Sequence, residues 1–237
     1  MTQLLISVKN VAEAQLALAA GVDIIDLKDP NSGALGALDL PMTKEIVGLL
    51  RGHLNLSVVQ ISATVGEQHV NVNALMDDIQ DRVNLGVDII KIEVSDIFQA
   101  ADFYTQISVF TKTNVKIVAV FFADGAVDLD LLPILKNAGF YGAMLDTKNK
   151  YENLLQVQSQ AALQLFTQSC HQYQLESGLA GSLQPQHVDK LIESSATYIG
   201  FRGGVCENSQ RTSALSGLKV MELVNMLRNG NKNHVKA

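Results

Sequence analysis

The chain has 237 residues, of which 47% are apolar and only 18% are charged, against roughly 25% charged residues in an average globular protein. This composition excludes an intrinsically disordered chain, which needs low hydrophobicity and high net charge. With 18 Lys and Arg against 24 Asp and Glu, the net charge is −6. No basic stretch offers a surface for nucleic acid, so no nucleic-acid partner is expected.

Eight short apolar runs, rich in Val and Ile, alternate with longer segments of helical spacing. Most of the runs lack polar alternation, as expected of parallel strands that are buried on both faces. The predicted strands are 4–8, 22–27, 56–61, 87–92, 115–121, 141–145, 175–179 and 196–201. The predicted helices are 11–20, 41–51, 74–85, 97–111, 129–138, 161–173, 185–193 and 212–228.

Local signals support the helix boundaries. Asn10 with Glu13 predicts a capping box that opens the first helix. Gly21, Gly86 and Gly139 follow three of the predicted helices, where a stop favours positive φ.

Eight strand–helix units of about 30 residues each predict a single (β/α)8 TIM barrel over residues 1–228. The near-repeat of residues 20–26 at residues 85–91 supports a fold built from repeated units. An open doubly wound sheet is the alternative, but no G-x-G-x-x-G follows an early strand. The polar residues 229–237 are predicted to form a flexible C-terminal tail.

The sequence also suggests a compartment. The first ten residues lack the features of a signal peptide, and the absence of an apolar run of about 18 residues predicts no membrane span. Cys170 and Cys206 form neither a disulfide framework nor a metal-ligand spacing. We therefore expect a reducing cytoplasm. The five histidines follow no ligand pattern, so no metal is expected.

Charged residues gather where three predicted strands end, the part of a barrel that carries chemistry. Residues two apart on a strand share a face, so the two charged side chains at one strand end are expected to point to the same side of the sheet. Lys148 is expected to be a solvated loop charge, and Glu93 a partner for Lys91. The charged residues of the second, fourth and sixth strand ends are Asp26 and Lys28, Lys91 and Glu93, and Asp146 followed by Lys148 and Lys150.

A buried lysine is costly unless it is paired, and burial together with cationic neighbours lowers its pKa. A neutral amine can attack a carbonyl group to form a Schiff base, and nearby carboxylates can then move protons. This combination is typical of a Schiff-base aldolase or a related lyase. The alternative is a set of inward Lys–Asp pairs that only fill the top of the barrel.

Glycine-rich turns follow the seventh and eighth strands, where barrels often bind phosphate through backbone N–H groups. Arg202 is expected to act as a charged clamp, because its fork matches a phosphate. The alternative is that these glycines merely end strands. The predicted phosphate-binding residues in these turns are Gly181, Ser182, Arg202, Gly203 and Gly204.

Five segments together resemble one enzyme family. They are Asp-Ile-Ile-Asp-Leu-Lys-Asp-Pro (23–30) with Gly33-Ala-Leu-Gly36, Ile-Ser-Ala-Thr-Val-Gly (61–66), Met-Leu-Asp-Thr (144–147), Leu-Ala-Gly-Ser-Leu (179–183) and Gly-Phe-Arg-Gly-Gly-Val-Cys (200–206). The chain is similar along nearly its whole length to the (5-formylfuran-3-yl)methyl phosphate synthases of methanofuran biosynthesis, found in methanogens and some C1-metabolising bacteria. The resemblance implies a TIM-barrel lyase that joins two glyceraldehyde 3-phosphate molecules, loses one phosphate and two waters, and needs no cofactor.

The resemblance also implies roles for single residues. The family's catalytic lysine falls on Lys28 beside Asp26, its second lysine on Lys91 and its aspartate on Asp146. A further lysine falls on Lys150, but the polar, glycine-bearing loop that usually follows it is Tyr-Glu-Asn (151–153) here, which leaves the choice between Lys148 and Lys150 open.

Two phosphorylated substrates need two anion sites, and Lys9 or Lys150 could supply the second. Two other functions stay open. One is another aldolase or isomerase that acts on triose or pentose phosphates, and the other is a non-catalytic barrel that binds phosphometabolites. A homo-oligomer is expected from the habits of such barrels.

Overall fold

The computed structural model of the chain describes residues 1–52 and 59–236. His53 and residues 56–58 of the third predicted strand lie outside the described residues. Within them, eight parallel strands form a closed barrel in chain order, with the first strand hydrogen-bonded to the eighth. This confirms the predicted TIM barrel and excludes the doubly wound sheet. The strands are β1 (Gln3–Val8), β2 (Ile24–Leu27), β3 (Gln60–Thr64), β4 (Ile89–Glu93), β5 (Lys116–Phe122), β6 (Gly142–Asp146), β7 (Glu176–Leu179) and β8 (Tyr198–Phe201).

Helices follow the strands and cover the outside of the barrel. They are α1 (Val11–Ala20), α2 (Leu40–Gly52), α3 (Val72–Asn84), α4 (Phe103–Thr111), α5 (Leu131–Asn137), α6 (Leu154–Val157), α7 (Gln160–Gln172), α8 (Val188–Ile192) and α9 (Gly217–Lys236). Short 3-10 turns span Asp96–Gln99, Pro185–His187, Gly203–Val205 and Glu207–Ser209. Among the described residues, no helix combines the length and apolar character needed to cross a membrane.

The predicted helices need two corrections and one addition. The predicted helix 97–111 is interrupted, because Ala100 is extended between a 3-10 turn and α4. The short helix α6 was not predicted. The last helix begins at Gly217 rather than at 212, and it continues to Lys236.

The predicted tail therefore begins inside a helix. Asn231 is buried there, and it exchanges hydrogen bonds of 3.1 and 2.9 Å with the backbone of Thr2. The helix thus continues past the predicted boundary at residue 228. The mobility of the last residues stays a prediction.

The start of α1 shows how a cap ties into the tertiary structure. The Asn10 side chain accepts a hydrogen bond from the Glu13 N–H at 2.9 Å, as a capping residue should. The Glu13 carboxylate instead accepts from the Lys9 N–H at 2.9 Å and pairs with Arg202. Only half of the predicted capping box forms, because Glu13 is used in a long-range ion pair. Gly21 ends the helix at φ 73°, as predicted.

The near-repeat in the sequence has a structural basis. Asp23 accepts a hydrogen bond from the Leu4 N–H at 2.8 Å, and Asp88 accepts one from the Ile61 N–H at 2.7 Å. Each aspartate precedes its own strand and satisfies a backbone donor of the strand before it in the barrel. The two repeats therefore support neighbouring strands in the same way.

The strands pack against two apolar clusters, one on each face of the barrel wall. The larger lies between the strands and the helices. The smaller fills the inside of the barrel with buried side chains, among them Leu5, Ile24, Ile89, Met144 and Tyr198. Because strand side chains alternate, residues two positions after these also point inward, closer to the carboxyl ends. The charged strand-end residues therefore lie above an apolar floor.

Candidate active site

A cavity of about 390 Å³ opens at the carboxyl ends of the strands. Leu5, Met144 and Ala180 are among its apolar lining. Among the described residues, five cationic side chains and two carboxylates line it, in a chain whose net charge is −6. This concentration of positive charge favours an anionic ligand. The charged lining residues are Asp26, Lys28, Lys91, Asp146, Lys150, Arg202 and Arg211.

A buried ion pair lies deepest in this group. The Lys91 Nζ is 2.6 Å from the Asp26 Oδ1, and their side chains are 3% and 0% exposed. The Ser7 hydroxyl donates to the Asp26 Oδ2 at 2.8 Å, and the Ser62 hydroxyl donates to Oδ1 at 2.7 Å. The parallel register places Ser7, Asp26 and Ser62 side by side on β1, β2 and β3. The carboxylate is therefore held from three sides.

Burial and charge oppose each other at this pair. Burial alone would raise the pKa of Asp26, but the ammonium groups of Lys91 and Lys28 and the hydrogen bonds from Lys91 and Ser62 hold it below its usual value. Burial lowers the pKa of Lys91, and the nearby Lys28 lowers it further, although the Asp26 carboxylate opposes both. Asp26 is thus an ionised anchor, and Lys91 is a lysine that loses its proton more easily than usual.

A second charged group lies nearer the mouth of the cavity. The Asp146 carboxylate is 3.3 Å from the Lys28 Nζ and 2.9 Å from the Lys150 Nζ. Burial would raise the pKa of Asp146, but Lys150 and Lys28 hold it well below its usual value. Burial lowers the pKa of Lys150 despite the adjacent carboxylate. The structure thus brings Lys28, Lys91, Asp26, Asp146 and Lys150 into one cavity.

The geometry separates Lys148 from Lys150. The Lys148 Nζ is 3.1 Å from Glu93 and 4.0 Å from Glu67, and its side chain is 47% exposed. The position that points into the cavity is therefore Lys150. The expected partnership of Glu93 with Lys91 is wrong, because Asp26 takes Lys91 and Glu93 pairs with Lys148.

Arg202 does not have the free fork that the sequence suggested. Its Nε donates to the Arg211 carbonyl at 2.9 Å, and its guanidinium pairs with Glu13 at 2.5 Å. The remaining donors reach the carbonyl groups of Ser7 and Ser213, at 3.0 and 3.1 Å. All five N–H groups of this arginine are thus engaged by protein acceptors. Arg202 therefore connects loops of the protein and does not offer the free guanidinium that was predicted to bind phosphate.

The glycine-rich turns lie beside the cavity, as predicted. Gly181 and Ser182 line it with φ values of 116° and 48°, and Gly203 lines it on the opposite turn. Within the described part of the chain, the backbone N–H groups of these three residues donate to no protein acceptor. Gly204 is not a lining residue, because it packs against the backbone, and an added Cβ would lie 2.6 Å from the Leu183 carbonyl oxygen.

Lys9, a predicted anion site, and Cys206, a thiol near the eighth strand, do not line the cavity. The Lys9 Nζ donates to the carbonyl of Thr212, so the structure does not place Lys9 as a second anion site. Cys206 is fully buried, and burial raises the pKa of its thiol, which argues against a nucleophilic thiolate. The described residues contain no group of three or more His, Cys, Asp or Glu arranged to hold a metal ion.

Comparison with known proteins identifies the family of this chain. Residues 4–224 match the family model of 4-HFC-P synthase. The chain belongs to this family. A (5-formylfuran-3-yl)methyl phosphate synthase of Methanocaldococcus jannaschii is 33% identical over 222 residues, which cover 89% of this chain and 92% of that protein. A protein of Methylorubrum extorquens, named provisionally for the same activity, is 36% identical over 229 residues, covering 96% and 92%.

Solved structures support the fold of this 4-HFC-P synthase family member. The phosphoribosyl anthranilate isomerase of Thermus thermophilus aligns with a TM-score of 0.67 at 13% identity, covering 96% of this chain and 99% of that one. The 3-hexulose-6-phosphate synthase of Salmonella typhimurium aligns with a TM-score of 0.63 at 11% identity, covering 95% and 100%. At these identities the likeness shows the barrel alone. The named relatives are synthases, so the chain is a member of an enzyme family.

Three functional residues of this family member were missed in the sequence: Ser7 and Arg211, which line the cavity, and Ser62, which donates to Asp26. Ser7 and Ser62 precede the ends of their strands, and only the parallel register places them beside Asp26. Arg211 follows the eighth strand by ten residues, where the sequence offers no motif. A count of inward positions from Asp26 could have found the serines, whereas nothing in the local sequence marks Arg211.

Proposed function

We propose that this enzyme joins two molecules of glyceraldehyde 3-phosphate into (5-formylfuran-3-yl)methyl phosphate, as a lyase of methanofuran biosynthesis. The overall reaction releases one phosphate and two waters. The observation that carries the proposal is the cavity with lysines from three separate segments around two buried carboxylates. Membership of the synthase family supports the product.

The first step is imine formation on Lys28. Its Nζ lies at the mouth of the cavity, 3.3 Å from Asp146, whereas the Lys91 Nζ is held by Asp26 below it. The Lys28 amine attacks the aldehyde of one triose phosphate and releases water. Asp146 is the carboxylate beside the forming imine, so it is the group placed to exchange a proton with it.

The later steps use the second lysine. Lys91, with its lowered pKa, is the base that removes a proton from the carbon next to the imine. Loss of this proton expels the phosphate from the adjacent carbon and leaves an enol whose terminal carbon is nucleophilic. This carbon attacks the keto group of the second triose phosphate, which has first isomerised from its aldehyde to its ketone form. Ring closure with loss of two waters gives the furan, and hydrolysis of the imine, which takes back the water released when the imine formed, frees the aldehyde and Lys28. The aromatic furan makes the sequence difficult to reverse.

In this scheme Asp26 has a different task from the one the sequence suggested. Its two oxygens are occupied by Ser7, Ser62 and Lys91. An ionised carboxylate held in this way positions Lys91 and is poorly placed to carry protons itself. The scheme uses no cofactor. The homo-oligomer and the cytoplasmic location stay predictions.

Incubation with glyceraldehyde 3-phosphate as the sole substrate tests the proposal. Growth of furan absorbance, with one phosphate released per furan, is the expected result. Isomerisation or ordinary aldol products would support another triose- or pentose-phosphate enzyme. Binding without any turnover would support the non-catalytic barrel. The Arg51→Gln variant, changed at an exposed ion pair outside the cavity, should behave as the unmodified enzyme.

A further inference from the structure

Two arginines line the cavity, and they differ in what they bind. Arg202 has all five N–H groups engaged by protein acceptors. Arg211 uses only its Nη2, which donates to the carbonyl groups of Pro30 and Gly33. In the part of the chain that the structure describes, its Nε and Nη1 donate to no protein acceptor. Three N–H donors of a charged group therefore remain for a ligand.

The loop that carries Arg211 is fixed on both sides. The Arg202 guanidinium donates to the carbonyl of Arg211 itself and to that of Ser213. The same carboxylate that pairs with Arg202, Glu13, accepts the Leu215 N–H at 3.2 Å. Arg202 and Glu13 thus hold the β8–α9 loop in place. A donor on such a loop is positioned before any ligand arrives, which reduces the entropic cost of binding.

Arg211 also lies beside the turn predicted to bind phosphate. A Cβ added at Gly203 would lie 3.6 Å from the Arg211 backbone nitrogen. Gly203, Ser182 and Arg211 all line the same cavity. Backbone N–H groups and a guanidinium around one space form the combination that recognises a phosphate group.

We propose that Arg211 binds a phosphate group of the substrate and makes the site selective for phosphorylated aldehydes. This inference rests on the proposed function for the identity of the aldehyde, but the anion-binding role does not require turnover. Arg211 takes the place that the sequence suggested for Arg202. The two arginines act together, because Arg202 positions the loop and Arg211 contacts the ligand.

Arg211 also has a structural role, because its Nη2 hydrogen bonds connect it to the β2–α2 loop. The experiment must separate this role from phosphate binding. Arg211→Gln keeps an amide that can donate to a carbonyl group but removes the charge. Arg211→Lys keeps the charge. Arg228→Gln is the matched control, since Arg228 donates to the Gly21 carbonyl at 3.0 Å and does not line the cavity.

Isothermal titration calorimetry with inorganic phosphate measures anion binding directly. Arg211→Gln should weaken phosphate binding about tenfold or more, as expected for the loss of a charged hydrogen bond. Arg211→Lys should retain more affinity than Arg211→Gln, and Arg228→Gln should match the unmodified enzyme. Unchanged phosphate affinity in Arg211→Gln, or an equal loss in the Lys and Gln variants, would overturn the proposal.

A second measurement separates phosphate recognition from loop support. Borohydride trapping compares glyceraldehyde 3-phosphate with unphosphorylated glyceraldehyde at low concentrations of each. Arg211→Gln should slow trapping of the phosphorylated aldehyde about tenfold and leave that of glyceraldehyde unchanged. Equal slowing of both would assign Arg211 to loop support alone and overturn the proposal. If phosphate binds through Arg211 but no furan forms, the proposed function fails and the anion site stands.

Discussion

Replacing Asp26 with Asn tests how the barrel tolerates a charged lysine in its interior. The change preserves the size of the side chain but removes the charge that faces the Lys91 Nζ at 2.6 Å. Removal of one partner from a buried ion pair costs about 3–5 kcal/mol, because the other charge stays buried without compensation. That is a large share of the roughly 5–15 kcal/mol that stabilises a typical protein.

The cost should depend on pH in a defined direction. Burial already lowers the pKa of Lys91, and the loss of Asp26 removes the interaction that opposes this effect. The folded-state pKa of Lys91 in the variant therefore lies further below the ordinary value of 10.5 that it has in the unfolded chain. Between the two pKa values the unfolded chain binds more protons, so stability rises with pH. The loss of unfolding free energy caused by Asp26→Asn should therefore be greatest at low pH and shrink as pH increases.

Urea unfolding at pH 6 and pH 9 measures both effects. Arg51→Gln is the control, since its pair with Asp88 is 37% and 32% exposed and should contribute at most about 1 kcal/mol. Combining Asp26→Asn with Lys91→Met should recover much of the loss, because no charge is then left buried at the pair. A loss below about 1 kcal/mol at pH 6, or a loss that does not change with pH, would refute the reasoning.

Three further predictions concern groups around the cavity. The pKa values of Asp26 and Asp146 lie below their ordinary 3.8. The free energy of unfolding, measured with urea, should therefore fall as pH drops below about 4. Equal stability at pH 5 and pH 3 would contradict this. Ser62→Ala removes a hydrogen bond to a buried carboxylate and should cost about 1.5–3 kcal/mol in urea unfolding. Glu13→Gln leaves Arg202 buried without its carboxylate partner and should lower the free energy of unfolding by about 3–5 kcal/mol. For Ser62→Ala or Glu13→Gln, a change within about 0.5 kcal/mol would contradict the role given to that residue.

The barrel could be predicted because its strands are continuous apolar runs buried on both faces. Eight such runs at regular spacing leave few other folds, and Gly21, Gly86 and Gly139 mark helix ends with φ values of 73°, 86° and 82°. The charges at the strand ends were also informative. Lys28 and Asp146 come from different strands, yet a barrel brings all carboxyl ends to one rim.

The pairing of charges could not be predicted in the same way. Sequence alternation tells which face of a strand a side chain occupies, but not which partner lies beside it. Glu13 and Arg202 are 189 residues apart and meet through the closure of β1 onto β8. Arg202 was therefore expected to bind phosphate but instead connects loops of the protein. The predicted pairing of Glu93 with Lys91 is also wrong.

The proposed reaction depends most on which lysine forms the imine. Borohydride reduction with glyceraldehyde 3-phosphate, followed by peptide mapping with mass spectrometry, locates the adduct directly. We predict an adduct on Lys28, with no adduct on Lys91 and no furan formation in Lys28→Arg. An adduct confined to Lys91 or Lys150, or a Lys28→Arg enzyme that keeps normal activity, would contradict it.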